Sequence, residues 1–534
     1  TRIMGEQLEE VAVGTRVSCD GHYGVVRYCG PVVDTKGTWL GIEWEDPNRG
    51  KHNGCHNGVQ YFHTRSETGG SFIRPKKVDQ TLSVADAVRE RYFSTLSGLE
   101  GPSLVEDKDV LLYEFPRNQV VQFVGPEKIT AMLSRGETIR EVALSDMPVD
   151  RPGNDGELAS LVPKLQCLSL LHTLLSSWVQ VAQIARQLPH LSALHLSKNI
   201  LEIPKEPAEL RDCFRSIRLM VLRDVGYSWE EALRCAEMWP WVEDLVLSLN
   251  GISVLSPPPD TLFQQLEHLS LQDNPISSWE TVCNLGRLPR LKCLTLADCD
   301  LTSISFPETA PGQKTPLFAN LVVLNLHNNR LKEWVSIAEL NKLARLEDLV
   351  VKGNPVTVRE RRHVTRCIVI SLLGRLQLLD RMPVTREERR EAGIYYVNRF
   401  FPLWVQCGGT ADGGTPSPEF LRDHPRFLSL LKTYGAPETV PDGKVPLSNK
   451  GGVITVEIHA PQEPEQGPIK KRIPLSMSVE KLKALVTQLF PRKGSRVCLS
   501  LVGAEEGKEF ALNKERCNLD FYGITDGSRI YVRW

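Results

Sequence analysis

The chain has 534 residues, with 64 basic and 65 acidic side chains and a formal net charge of −1. That length exceeds what one hydrophobic core serves and predicts about three or four domains, while the near-zero charge excludes a global field that would gather nucleic acid or a membrane surface. Its 13 cysteines are scattered without a Cys-x-x-Cys pair, which argues for free thiols in a reducing compartment and against a disulfide framework.

Residues 1–10 lack the apolar core of a signal peptide, and no apolar run approaches the roughly 20 residues of a membrane span, so a cytosolic protein is expected. Between positions 14 and 78 come Trp39-Leu40-Gly41-Ile42-Glu43, Gly50-Lys51-His52-Asn53-Gly54, Tyr61-Phe62 and Gly70-Ser71-Phe72-Ile73-Arg74-Pro75. Glycines spaced among aromatics and a lysine suit a small all-β barrel with sharply bent loops, which also let a ligand approach the backbone. This stretch resembles the CAP-Gly domain, whose glycine-rich loop and aromatic groove capture acidic C-terminal tails. The family loop usually reads Gly-Lys-Asn-Asp-Gly; here His52 and Asn53 stand at its two middle positions.

Such a tail needs cationic donors, free backbone N–H groups and an apolar slot for its last side chain. Lys51 and the loop around His52 and Asn53 are expected to supply the first two, with Gly50 and Gly54 allowing a tight, donor-presenting turn. Trp39, Phe62 and Phe72 are expected to line the slot, and Arg74, Lys76 and Lys77 to meet upstream glutamates. His52 is read first as a tolerated substitute for an asparagine; the alternative is that its imidazole, which as a residue type titrates near neutrality, makes capture weakly pH-dependent. His52, Cys55, His56 and His63 cluster in sequence, with Cys19, His22 and Cys29 nearby, but the spacing fits no standard zinc pattern and no metal is expected.

The strongest internal signal follows. The template L-x-x-L-x-L-x-x-N-x-L reads clearly from Leu191, Leu266, Leu321 and Leu346, and more weakly from Ile139, Leu165, Ser216, Val242 and Leu291. This is the pattern of leucine-rich repeats, an α/β solenoid of one strand and one helical return per unit. The asparagines are expected to satisfy backbone groups where the chain leaves each strand. Trp178, Trp229, Trp279 and Trp334 are expected in the convex-side core. The strand positions between the leucines, namely Arg218, Met220, Asp244, Val246, His268, Asn325, Asp348 and Val350, predict a mixed polar and apolar concave face suited to a protein partner.

Residues 385–401 are charged and then aromatic, as in a cap over the last repeat. A glycine-rich break, a helix over 419–434 and a Pro/Gly linker come next. After residue 452 the order strand, strand, helix, strand, strand, with a late Asp526-Gly527 turn, resembles a ubiquitin-like domain of β-grasp fold. The chain as given ends Arg533-Trp534 without a diglycine, so conjugation is not its expected use. The expected divisions are 8–80 for the CAP-Gly domain, 81–135 for a connecting segment, 136–402 for the capped repeats, 403–451 for a helix-containing linker and 452–534 for the ubiquitin-like domain.

The ordered combination resembles the tubulin-folding cofactor E family. That resemblance implies a cytoplasmic, cytoskeleton-associated chaperone that holds α-tubulin and the αβ-tubulin heterodimer, using the head for the tail and the repeats for the body. It further implies work with cofactors C and D in heterodimer assembly and dissociation. A microtubule-to-proteasome adaptor and a ubiquitin-pathway enzyme are the alternatives. The 503–508 segment falls one residue short of a phosphate-cradling loop, and no Gly-x-Ser-x-Gly, His-Glu-x-x-His or kinase set occurs, so no enzymatic activity and no cofactor are expected.

Overall fold

The computed structural model describes residues 11–93, 138–437 and, between 453 and 534, all but 463, 464, 466, 491–496, 503–508, 513, 514, 516, 517, 523 and 525. The near-miss phosphate loop at 503–508 therefore lies outside the described residues, as do the first ten residues, most of the expected 81–135 segment and residues 438–451 of the expected 403–451 linker. Two compact units result, Thr1–Asp300 and Leu301–Trp534.

The first unit begins with an antiparallel sheet of β1 (Arg16–Cys19), β2 (His22–Pro31), β3 (Thr38–Trp44) and β6 (Gly70–Ile73) in that order, with β4 (Cys55–His56) and β5 (Val59–Gln60) forming a separate hairpin. Asp20 and Gly21, both at positive φ, join β1 to β2, as a two-residue hairpin turn on twisted strands requires. Alternation sends Val17, Cys19, Val26, Leu40, Ile42 and Trp44 into one core.

Residues 82–93 do not behave as a connector. β7 (Leu82–Ser83) pairs with β9 (Val149–Arg151), which lies just after the first repeat strand β8 (Glu141–Ala143). The helix Val84–Val88 is capped by the Ser83 hydroxyl and buries Val84, Ala85, Ala87 and Val88. This apolar segment shields the solenoid's first edge, which is why it is ordered.

The repeat strands β10 (Cys167–Ser169), β11 (Ala193–His195), β12 (Leu219–Val221), β13 (Asp244–Val246), β14 (His268–Ser270) and β15 (Cys293–Thr295) stack in parallel after β8. Each is three residues long, with its central residue fully buried in the shared core. The asparagines do as expected: buried Asn274 donates to Leu247 O and Leu271 O at 2.9 Å and accepts from Asn250 N and Ile252 N at 3.0 Å. Trp178, Trp229 and Trp279 begin the convex helices and are buried.

The second unit carries β16 (Val323–Asn325), β17 (Asp348–Val350) and β18 (Leu378–Leu379), with β19 (Met382–Pro383) folding back on β18. Trp334 begins the helix Trp334–Glu339 but is half-buried. The capping helix runs Arg386–Gln406, and a small hairpin of β20 (Gly409–Thr410) and β21 (Gly413–Gly414) follows. The single helix expected over 419–434 is two, Pro418–Asp423 and Phe427–Tyr434. Pro425 breaks it, since it lacks an N–H and pushes His424 out of helical backbone. The tail has sheet order β23 (Ile469–Pro474), β22 (Val453–His459), β26 (Arg529–Arg533), β24 (Cys498–Val502) and β25 (Glu509–Ala511), with the helix Val479–Leu489 sharing its core. That is the β-grasp arrangement.

Candidate ligand groove and concave face

The loop at residues 50–54 is built from the backbone outward. A Cβ on Gly50 would lie 2.2 Å from Thr68 O, and one on Gly54, whose φ is +97°, would lie 2.0 Å from Phe62 O. Neither position accepts a side chain. The loop folds onto β6: Lys51 N and His52 N both donate to Gly70 O, and Gly70 N donates back to His52 O. Gly54 N donates to His52 Nδ1 at 3.0 Å. The expected free backbone donors of Lys51, His52 and Gly54 are therefore consumed within the fold. The loop presents side chains instead.

Lys51 is exposed and its ammonium has no partner among the described residues. Asn53 donates to Glu67 Oε2 at 3.0 Å. His52 lies tilted on the Phe72 ring with centroids 5.0 Å apart. Burial, and then His56, push the His52 pKa below the ordinary histidine range. With Nδ1 accepting from Gly54, the ring is neutral at pH 7.

Phe62 and Phe72 separate in role. Phe62 is 5% exposed and packs under Gly41, where a Cβ would come within 2.4 Å of its ring. It is barrel core and does not line a slot. Half-buried Phe72 is the hub: Tyr28, Tyr61, His52, His56 and Phe62 surround it at centroid distances of 5.0–6.2 Å. Tyr28 and Tyr61 were not assigned to the site from sequence. A register shift between Val26 and Tyr28 re-aims Tyr28, and Tyr61 is fixed by Val33 N donating to its hydroxyl at 2.8 Å. Beside them Arg74 stacks on Trp39 at 3.7 Å and donates to Thr38 O. Lys76 and Lys77 are exposed on the turn that follows.

The head is clamped to the repeats. Arg16 donates from Nε to Glu45 at 2.7 Å, from Nη2 to Lys198 O at 3.2 Å and from Nη1 to Thr173 O. His172 bridges Glu45 at 2.8 Å and Asp146 at 2.6 Å, and its ring lies 4.1 Å from that of Tyr23. Burial alone would raise Glu45, but the His172 and Arg16 hydrogen bonds hold it down at about 2; for His172, burial opposes and the two carboxylates win, so its pKa is raised.

On the concave face the register around β12 differs from expectation by one residue. Met220 pairs with Leu245 and is fully buried, whereas Leu219 and Val221 align with Asp244 and Val246. Met220 is core, and Arg218 sits just before the strand, 3.5 Å from Glu243. Asp244 is 1% exposed and bonded to half-buried His268, which leaves His268 as the reachable member of that pair. Asn325 Oδ1 accepts from His327 N. Asp348 has a buried Oδ1 without a partner among the described residues, and burial raises its pKa. Among the described residues no group of three or more His, Cys, Asp or Glu could hold a metal ion, and no helix is long and apolar enough to cross a membrane.

The family model for the CAP-Gly domain matches residues 13–78. Tubulin-specific chaperone E of Danio rerio is 38% identical over 532 residues, covering 98% of this chain and 99% of that protein. The Homo sapiens protein of the same name is 34% identical over 536 residues, covering 99% and 100%. Among solved structures, the C-terminal ubiquitin-like domain of mouse tubulin-specific chaperone e is 30% identical and covers 17% of this chain and 94% of that one, with a TM-score of 0.15.

Proposed function

The chain belongs to the tubulin-specific chaperone E family, and from that premise we propose that it is a tubulin-folding chaperone that captures the acidic C-terminal tail of α-tubulin in the groove around Phe72. One observation carries this reading: a half-buried aromatic hub beside Lys51, an exposed cation with no partner among the described residues. A terminal aromatic side chain would stack against Phe72 and Tyr61 at the offset and edge-on angles aromatic pairs favour. Lys51 would pair with the tail carboxylate, while Arg74, held over Trp39, and Lys76 and Lys77 would meet glutamates upstream. With the loop's own N–H groups turned inward, the charge falls on side chains.

A groove this small buries little area, so tail capture alone should have a Kd on the order of micromolar or weaker. The concave strands of the first unit, with His268, would take the tubulin body and turn the second contact into an intramolecular one. Joining or separating the αβ-heterodimer, in concert with cofactors C and D, then follows from differential binding: a chaperone holding α-tubulin better alone than in the dimer shifts that equilibrium by the difference. The chain itself does no covalent chemistry in this reading. Burial pushes the thiols of Cys19, Cys235 and Cys299 up to about 12, the opposite of what a nucleophile needs.

The test is binding of the full chain to αβ-tubulin with and without the terminal tyrosine, beside a Lys51→Ala variant. Loss of at least about fivefold in both arms is expected, one charge-assisted contact contributing about 1.5–3 kcal/mol before screening at an exposed site roughly halves it. Unchanged affinity in both would remove the tail from this groove.

A further inference from the structure

In the second unit, the edge of the solenoid where the convex helices end gathers positive charge with little to balance it. The turn after Leu340–Lys342 and the turn after Arg362–Leu372 are equivalent positions of successive repeats, as the pairing of Asp348 with Leu378 fixes. Lys314, from the loop preceding β16, donates to Leu343 O at 3.3 Å and to Asn341 O. One repeat on, Arg426 donates to Ser371 O at 2.6 Å, and Arg389 to Leu373 O at 3.3 Å and to Leu376 O. The Arg426 guanidinium lies against Gly374, where an added Cβ would come within 2.8 Å of it. Arg345 and Arg375 project from the same two turns and are exposed.

Part of this is helix capping. Cations belong at helix C-termini, whose last carbonyls carry about half a negative charge. Capping does not account for the whole set. Lys314, Arg389 and Arg426 meet neutral carbonyls, Arg345 meets the neutral Asn320 amide at 2.9 Å, and Arg375 reaches the carboxylate of Glu347 at 4.0 Å. Burial lowers the Lys314 and Arg426 pKa values, and the neighbouring cations, Arg375 and Arg426 for the first and Arg389 for the second, lower them further. The charges repel one another in a chain whose net charge is −1.

We propose that this edge, with Lys314, Arg345, Arg375, Arg389 and Arg426, is a binding surface for an acidic peptide segment. The cations are spread over successive repeats, about 4.8 Å apart for adjacent parallel strands, so they match a row of carboxylates on an extended chain better than a single phosphate. The site is separate from the Phe72 groove and does not rest on the tail-capture reading.

The probe is a fluorescent decaglutamate peptide, amidated at its C-terminus and without aromatic residues, titrated against the full chain at several salt concentrations. Binding that weakens with salt is expected, with a loss of at least about tenfold in an Arg345→Glu/Arg375→Glu variant, whose side chains are exposed, and little change in Lys51→Ala. A Lys314→Gln variant, monitored by circular dichroism, checks the far end of the row and should lose about threefold. Unchanged binding in the double variant would overturn the proposal. So would loss in Lys51→Ala alone, displacement of the peptide by millimolar inorganic phosphate, or a single-stranded oligonucleotide binding as tightly as the peptide.

Discussion

Replacing Arg16 with Ala should undock the head and loosen the segments that its guanidinium joins, around Val17 and Thr173, without unfolding either module as a whole. The guanidinium is the shared donor for Glu45 on the head side and for Thr173 O and Lys198 O on the repeat side, and it lies 5.2 Å from the Tyr23 ring centre. A hydrogen bond to a charged group contributes about 1.5–3 kcal/mol, and screening at a half-exposed partner roughly halves that. Only the bonds to Thr173 O and Lys198 O cross from head to repeats, and these two give a docking loss of about 2 kcal/mol, or roughly thirtyfold in the docked-to-undocked ratio. Native-state hydrogen exchange at pH 6 reads this directly. Amides of Val17, Thr173 and Leu174 should lose about that much protection, while those of Leu269 and Leu271, deep in the repeat sheet, should keep theirs. Protection changed by less than about 0.5 kcal/mol at Thr173 would refute the idea that Arg16 holds the head.

The remaining expectations are narrower. Phe72→Ala should weaken tail-peptide binding about tenfold with a small change in melting temperature, whereas Phe62→Ala, at a core position, should cost about 3–5 kcal/mol in urea unfolding. Head docking should depend on pH in both directions. The raised His172 contributes stability that is fully present below the ordinary histidine value of 6.5 and lost as pH rises through the folded value, while the lowered Glu45 contributes above 4.5 and is lost as pH falls towards about 2. Exchange at Thr173 across pH 5–9 checks the first limb, and His172→Gln should flatten it. For His52 the sign is opposite. Its depressed pKa means that the loop is intact above 6.5 and loosens as pH falls through the folded value, because a proton on Nδ1 would face the Gly54 N–H; NMR titration of the His52 ring tests this. Asn274→Ala should destabilise the first unit by about 3–5 kcal/mol, since it strands two carbonyls and two N–H groups in the core; chemical denaturation measures it.

Much of the architecture was legible because it repeats. A pattern read several times over corrects itself, and the asparagine positions gave the turns as well as the strands. It failed where one unit offered two registers. In Leu219-Met220-Val221-Leu222 every residue is apolar, so alternation is silent, and pairing with Leu245 decides that Met220 faces inward. Phe62 and Phe72 were equivalent by composition. Their difference lies in Gly41, which makes room for one ring and not the other. Tyr28 was hidden by a bulge that one strand alone does not reveal, and the inward turn of the 50–54 loop depends on Gly70, sixteen residues beyond Gly54 by sequence. The clamp of Arg16, Glu45 and His172 joins residues up to 182 apart, where no local signal exists.

That clamp changes what tethering means for this chain. For a flexible linker, effective concentration is millimolar at best and falls with length, but any geometry within reach is sampled. Here the sheet is joined to the repeats by the His172–Glu45 pair and by Arg16 donating to Thr173 O and Lys198 O, and the segment 82–88, which would otherwise serve as the hinge, pairs with β9 and buries Val84, Ala85, Ala87 and Val88. A partner that fits the head and the concave strands of the first unit in one orientation gains nearly the full product of the two affinities, because little ordering entropy is left to lose. A partner with its tail elsewhere gains nothing from the second contact. Rigid attachment thus converts two weak, rather general surfaces into one selective one. It also places the selectivity in Arg16 and His172, residues that touch no ligand.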